Sequence, residues 1–241
     1  MKSILCWLLM AMVPYIAFSQ TKINKSYPVK KGGVVELHFD YPKVVHISSW
    51  DKNEIGLEAS VKINGGENDS AFSISQSEVD GRMVISNKID MDKIPEAYYA
   101  KENGIKKRFN SKADLDAYMK EKTGTRISSY QQKDIEITIN IMIPSGISTE
   151  VTSVYGIVEL KDFKGPIKVD ARYGGIDASI SQAAIGKIKL TNRYGKIYTN
   201  LNLKPTELKE ENFFTSLTAA PGVGASYDLS SSYGNIYLRN P

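Results

Sequence analysis

Cysteine is almost missing from this chain of 241 residues: Cys6 stands alone, inside an apolar N-terminal stretch. Past that stretch no disulfide, thiolate metal site or cysteine nucleophile is available. Histidine is nearly as scarce, with only His38 and His46, which narrows acid–base chemistry and imidazole ligation of a metal. No apolar run is long enough to span a bilayer, so the mature chain is expected to lack a transmembrane span. Charge of either sign is not in large excess: 31 basic and 27 acidic residues leave a net +4. Nucleic-acid binders carry a concentrated basic face, and that balance argues against a nucleic-acid partner.

The N-terminus reads as an export signal. Met1-Lys2-Ser3 is followed by the apolar "ILCWLLMAMV" and then by "PYIAFSQ", with small residues at Ala17 and Ser19. One positive residue, a short apolar run and small residues at the cut are the marks of a secretory signal peptide. We expect a signal over 1–19, a mature start at Gln20 and a single domain over 20–241. Cys6 lies too early to be a lipid-modified residue. The destination is then the periplasm, the outer-membrane surface or the medium. An exported chain without disulfides must draw its stability from a core or from continuous backbone pairing.

Strand signals dominate from Gly32 to Asn87: "VVELHF" alternates, "KVVHISSW" follows a Tyr-Pro break, and Asp80-Gly81 between alternating runs predicts a hairpin. The character changes over about 91–133, a charged, tyrosine-rich segment with little visible alternation. Ser111 there can cap a helix that starts near Lys112 and carries Leu115, Tyr118 and Met119 at helical spacing. This segment reads as a partly helical insertion. The framework resumes in "DIEITINIMIP", where isoleucines at every second position from Ile135 to Ile143 share one face.

The C-terminal part repeats itself. "VTSVYGIVEL" from Val151, "VDARYGGIDA" from Val169, "LTNRYGKIYT" from Leu190 and "LSSSYGNIYL" from Leu229 align without gaps, with tyrosines at Tyr155, Tyr173, Tyr194 and Tyr233. Their intervals are 18, 21 and 39 residues; the last, near twice the others, suggests one coil that has lost the signature. A period near twenty with alternating apolar positions predicts stacked coils. Val151, Val169, Leu190 and Leu229 should point inward before the bend, and Val158, Ile176, Ile197 and Ile236 after it. Gly156, Gly174, Gly195 and Gly234 would supply backbone shapes that side chains resist. The four tyrosines would stack as a ladder, and Arg172 and Arg193 would stand in adjacent coils. A set of antiparallel hairpins turning at Tyr-Gly is the rival reading.

On "SSWDKNEIGLEASVKI" and "INIMIPSGISTEVTSVYGIVELKDFKGPIKVDARYGGIDA" the chain resembles the bacterial "putative adhesin" domain of unknown function, an exported β-helical family related to auto-transporter adhesin head domains. The likeness covers most of 33–90 and 134–241. In that family the bend is more usually Asn-Gly or Ser-Gly, and the insertion departs from its pattern. The resemblance implies a folded surface or periplasmic module with no catalytic residues to carry over.

Chemistry-bearing constellations are few. Glu36, His38 and Asp40 share a strand face at spacing two, a spacing a metal triad could use, but it reads as a solvated strand face. "DKNEIG" at Asp51 begins like a calcium loop, but Ile55 and Lys62 stand where oxygen ligands belong. Asp162, Asp170 and Asp177 occupy different coil positions and so would not form a stacked acid pair. "NDSAF" at Asn68 matches an O-glycan acceptor motif. We therefore expect no catalytic residues, no metal and no cofactor. The expected fold is all-β: an N-terminal strand region continuing into a short right-handed parallel β-solenoid. The expected function is a non-catalytic adhesin-like or protein-interaction module whose partner is an envelope or surface protein or glycan. Tyr155, Tyr173, Tyr194, Tyr233, Arg172 and Arg193 are its candidate binding residues. A carbohydrate-active or glycan-binding protein using the solenoid face is the alternative.

Overall fold

The structure is a computed structural model that describes residues 20–122 and 124–241; the expected signal over 1–19 lies outside the described residues. Alternation decides its strands. Along Ile135–Pro144 the buried residues are Ile137, Ile139, Ile141 and Ile143, with polar side chains between them. Strands of this kind hide one face only, so two sheets close on each other over a single apolar core rich in Val, Ile and Leu.

The repeating unit is a coil: a strand in the first sheet, a bend, then a strand in the second. In chain order, coil I is Val34–Phe39 with Val44–Trp50, and coil II is Arg82–Ile89 with Ile135–Pro144. Coil III is Ser148–Tyr155 with Ile157–Lys161, and coil IV is Ile167–Tyr173 with Ile176–Ser179. Coil V is Ile185–Arg193 with Ile197–Thr199, and coil VI is Ala225–Ser231 with Ile236–Arg239. Neighbouring coils pair parallel and in matched register. Val151 lies opposite Leu37 and Val169, and Leu229 opposite Val169 and Leu190. In the second sheet Ile236 lies between Ile176 and Ile197. The expected inward positions before the bend are all buried; after it Val158, Ile176 and Ile236 are buried and Ile197 is half-buried. Parallel pairing at the Tyr-Gly bends replaces the hairpin reading.

The order of the coils departs from the order of the chain. Both sheets run II–I–III–IV–VI–V. Coil VI is seated between coils IV and V, so the 39-residue interval hides no lost coil. Residues 200–224 instead carry a hairpin, Glu207–Glu211 with Phe214–Ala219, which extends the first sheet antiparallel beyond coil V. Its outer strand, "ELKEE", is exposed throughout and charged at every position but Leu208, a composition that discourages further pairing at that edge. The N-terminal strands do not lead into the stack; coils I and II belong to it. Beyond coil II, Glu54–Ile63 and Thr21–Pro28 extend the second sheet antiparallel. Phe72–Val79 does the same in the first, through the expected Asp80-Gly81 hairpin.

The insertion over 91–133 occupies the bend of coil II. Its helix α1, Lys112–Glu121, begins where expected, with Ser111 Oγ accepting the Asp114 N–H at 3.1 Å. The rest is an antiparallel sheet of Ile105–Phe109, Ala97–Glu102 and Ile127–Gln132, so strands outweigh helix. Asn103 and Gly104, both at positive φ, make the hairpin turn. That Asn-Gly signal stands in "YYAKENGIKKRF", masked by lysines on both strand faces.

Candidate functional site

Each coil turns a corner between its two strands, and stacking brings these corners into one row along an edge of the molecule. The aromatic residue just before each corner therefore meets its counterpart one coil away. Tyr155 and Tyr173 stack at 5.2 Å between ring centroids, Tyr173 and Tyr233 at 5.2 Å, and Tyr233 and Tyr194 at 5.1 Å. The expected ladder exists, with Tyr233 between Tyr173 and Tyr194, as the coil order requires. It is also longer than the repeats implied. Tyr41 of the coil I bend stacks on Tyr155 at 4.9 Å, and Phe213 of the edge hairpin stacks on Tyr194 at 5.7 Å.

A signal for Tyr41 was present in the sequence. Tyr41 follows Leu37 by four residues, just as Tyr155 follows Val151 and Tyr173 follows Val169. Pro42 in place of glycine hid it. Phe213 had no such signal, because a hairpin rather than a coil delivers it.

The bend glycines are needed for closeness more than for dihedral freedom. Only Gly156 of the four has positive φ, which corrects the expectation for Gly174, Gly195 and Gly234. A Cβ on Gly174 would run into the carbonyl of Gly156, one on Gly234 into that of Gly174, and one on Gly195 into that of Gly234. Corner backbone lies directly on corner backbone, and only hydrogen fits between. Buried polar side chains line the inner side of the corners. Ser153 Oγ donates to the Tyr155 carbonyl at 2.9 Å, and Asn192 Nδ2 to the Gly234 carbonyl at 2.7 Å. Ser231 Oγ accepts the Gly234 N–H at 3.1 Å. These bonds satisfy backbone groups that leave the ladder pairing at the bend.

Three ladder rings sit on left-handed backbone: Tyr41 at φ 64°, Tyr194 at φ 59° and Phe213 at φ 60°. For a bulky side chain this costs about 1–2 kcal/mol each. A stacked aromatic pair returns about 0.5–1.5 kcal/mol, so the stack roughly offsets the strain without exceeding it. The rings remain open to solvent, from Tyr155 at 40% exposed to Phe213 at 72%. Their faces are covered by one another, leaving edges and hydroxyls outward. Among the described residues none of the five phenol oxygens has a hydrogen-bond partner.

Arg172 and Arg193 flank the row but are not neighbours. Ala171 and Asn192 both face Ser231, so Ser232 of coil VI separates the arginines by a full coil, correcting the adjacent placement. Asp170 approaches Arg172 at 3.8 Å, and Arg193 lies over the Phe214 ring at 5.5 Å. Asp177 pairs with Arg239 and with neither arginine. At the coil II end a cleft of about 440 Å³ opens beside the first rings, lined by Tyr41, Tyr155, Met91, Lys133 and Ile135.

The remaining constellations take structural parts. Glu36 accepts from Arg82 at 2.6 Å, and Arg82 also reaches Glu150 at 3.0 Å. The Arg82 hydrogen bond holds the Glu36 carboxyl below its ordinary range, against some desolvation. His38 stands 3.4 Å from the same carboxylate, while the Asp40 backbone is held by the Asn87 amide. Asp69 of the "NDSAF" motif is buried, and its carboxylate accepts the Ile63 N–H at 2.6 Å.

No family model matches the sequence, and no curated protein matches it. Among solved structures, a "putative cell adhesion protein" from Clostridium sporogenes ATCC 15579 aligns over 92% of this chain and 100% of its own, with TM-score 0.45 and 11% identity. A "putative adhesin" from Bacteroides fragilis NCTC 9343 aligns over 92% of this chain and 98% of its own, with TM-score 0.25 and 12% identity. No helix among the described residues is long and apolar enough to cross a membrane.

Proposed function

We propose that this chain is a non-catalytic, adhesin-like module exported to the bacterial envelope, which meets a surface protein or glycan through the aromatic ladder. The carrying observation is the left-handed backbone under Tyr41, Tyr194 and Phe213. Strain of this kind clusters at functional sites, and at these positions it extends the exposed row by rings that bury little apolar surface. The unpartnered phenol oxygens are then free to serve a ligand. In this reading the stack is a short right-handed β-solenoid, since a parallel strand–crossover–strand connection such as coil III to coil IV takes that hand almost without exception.

Glycan binding is the second reading. Mutually covered rings offer a sugar their hydroxyl edges along the row, and a ring face at Phe213 that no further ring among the described residues covers. A pull-down on intact cells and envelope fragments tests the ladder. Tyr173→Ser with Tyr233→Ser should abolish attachment while circular dichroism remains unchanged. A control substitution in the insertion, Lys106→Ala, should leave attachment alone. Full attachment by the folded double variant would remove the ladder from the function.

A further inference from the structure

We infer that the ladder's ligand is an extended acidic polysaccharide with a carboxylate on alternate sugars. This rests on the ladder being the binding surface and adds the class of molecule bound. Tyr41, Tyr155, Tyr173, Tyr233 and Tyr194 present a row of phenol rings whose centroids step by 4.9–5.2 Å, each ring carrying a hydroxyl that is both donor and acceptor. A ligand that engages them all must repeat its own polar groups at that step.

An extended peptide fails this condition. Its side chains return to one face roughly every 6.5 Å, so it drifts out of phase within two or three tyrosines. A hexose in an extended β-1,4-linked chain advances by close to the coil spacing and brings hydroxyls to each phenol in turn. The cations add a second spacing. Arg172 and Arg193 stand two coils apart, roughly 10 Å, with Ser232 of the intervening coil between them. In a chain with two-fold twist, alternate sugars present the same edge, so a carboxylate on every second sugar meets each guanidinium in turn. Arginine suits that contact because its fork matches a carboxylate. The competing acid is Asp170, whose approach to Arg172 at 3.8 Å is loose and half-exposed. Arg193 has no carboxylate within ion-pair distance among the described residues, only the Phe214 ring.

The test titrates the protein with three probes: a hyaluronan decasaccharide (carboxylates on alternate sugars), neutral cellohexaose, and poly-L-glutamate. Hyaluronan should bind at least about tenfold tighter than either of the others. Changing Tyr41, Tyr155, Tyr173, Tyr194 and Tyr233 together to Phe keeps the stack and deletes the hydroxyls. Arg172→Gln with Arg193→Gln deletes the cations. Each set should weaken hyaluronan binding by about tenfold or more with an unchanged melting curve, and only the arginine set should flatten its salt dependence. Equal binding of poly-L-glutamate would show a response to charge alone and overturn the inference. So would hyaluronan binding that survives both variant sets, or its absence in the folded parent. If hyaluronan is ignored while Tyr173→Ser with Tyr233→Ser still abolishes envelope attachment, the ligand class falls and the ladder reading stands.

Discussion

Aromatic rings stack both in the insertion and along the coil bends, and the two regions use them differently. In the insertion, Tyr99 and Tyr130 stack at 5.3 Å with the Lys106 ammonium over both rings, at 5.0 and 5.5 Å. Phe109 and Tyr118 meet at 5.1 Å under Lys107, and the Tyr118 hydroxyl donates to Glu102 at 2.7 Å. Those rings are engaged by the insertion's own cations and carboxylate. Along the coil bends the six rings have only each other among the described residues, and none of the five phenol oxygens has a hydrogen-bond partner there. One set closes a small antiparallel sheet whose core is thin; the other is displayed by a framework that already has its core. Exposure already separates them, since the insertion's rings are buried or half-buried and the ladder's are exposed. The presence of intramolecular partners separates them further.

The largest effect that would sharpen this contrast lies in the backbone. Gly174→Val drives a side chain into the Gly156 carbonyl and should cost about 3 kcal/mol or more in a urea titration. Gly104→Ala in the insertion hairpin faces open space at positive φ and should cost about 1–2 kcal/mol. Similar costs at both sites would mean that the coil corners are not in contact. Next in size, Tyr173→Ser removes two stacks from the middle of the ladder and should cost about 1–2 kcal/mol.

Phe213→Gly separates display from stability. Loss of one stack, about 1 kcal/mol, is set against relief of left-handed strain of similar size, so the thermal midpoint should barely move. Attachment to envelope material should nevertheless fall. A large destabilisation would instead make Phe213 a structural cap.

The smallest effect concerns pH. Glu36 is held low chiefly by its Arg82 hydrogen bond. It contributes stability above its unfolded pKa, and that contribution is lost as pH falls through the folded value. Asp134, at the root of the insertion, is pushed up chiefly by burial, with Glu136 adding to the shift and Lys62 opposing it. Its contribution is present below the unfolded pKa and lost as pH rises through the raised folded value. Mild acid should therefore loosen amides around Glu36 before those at the insertion's root, as read by hydrogen exchange. Arg82→Gln should erase the Glu36 part of that difference.

Much of the architecture was legible because it is local. Alternation in "DIEITINIMIP", the Asp80-Gly81 hairpin and the Ser111 cap each depend on a few consecutive residues. The four Tyr-Gly segments declared equivalent coil positions, and equivalent positions in a parallel stack must meet, so the ladder followed. The three-stranded insertion was harder to see, since its strands carry lysine and tyrosine on both faces and lose the period-two pattern.

Sequence by itself determined the strands, their inward faces, the corner glycines and the membership of Tyr155, Tyr173, Tyr194 and Tyr233 in one row. Only the tertiary structure decided the order of that row. Val169, Leu229 and Leu190 carry the same pattern in the same register, so pairing coil IV directly with coil V, or with coil VI between them, satisfies the same local rules. What distinguishes the arrangements is long-range: Asn192 reaching the Gly234 carbonyl, Arg239 meeting Asp177, Tyr237 stacking on Tyr198 at 5.1 Å. Contacts of that kind join residues dozens of positions apart, and no window of sequence contains both partners.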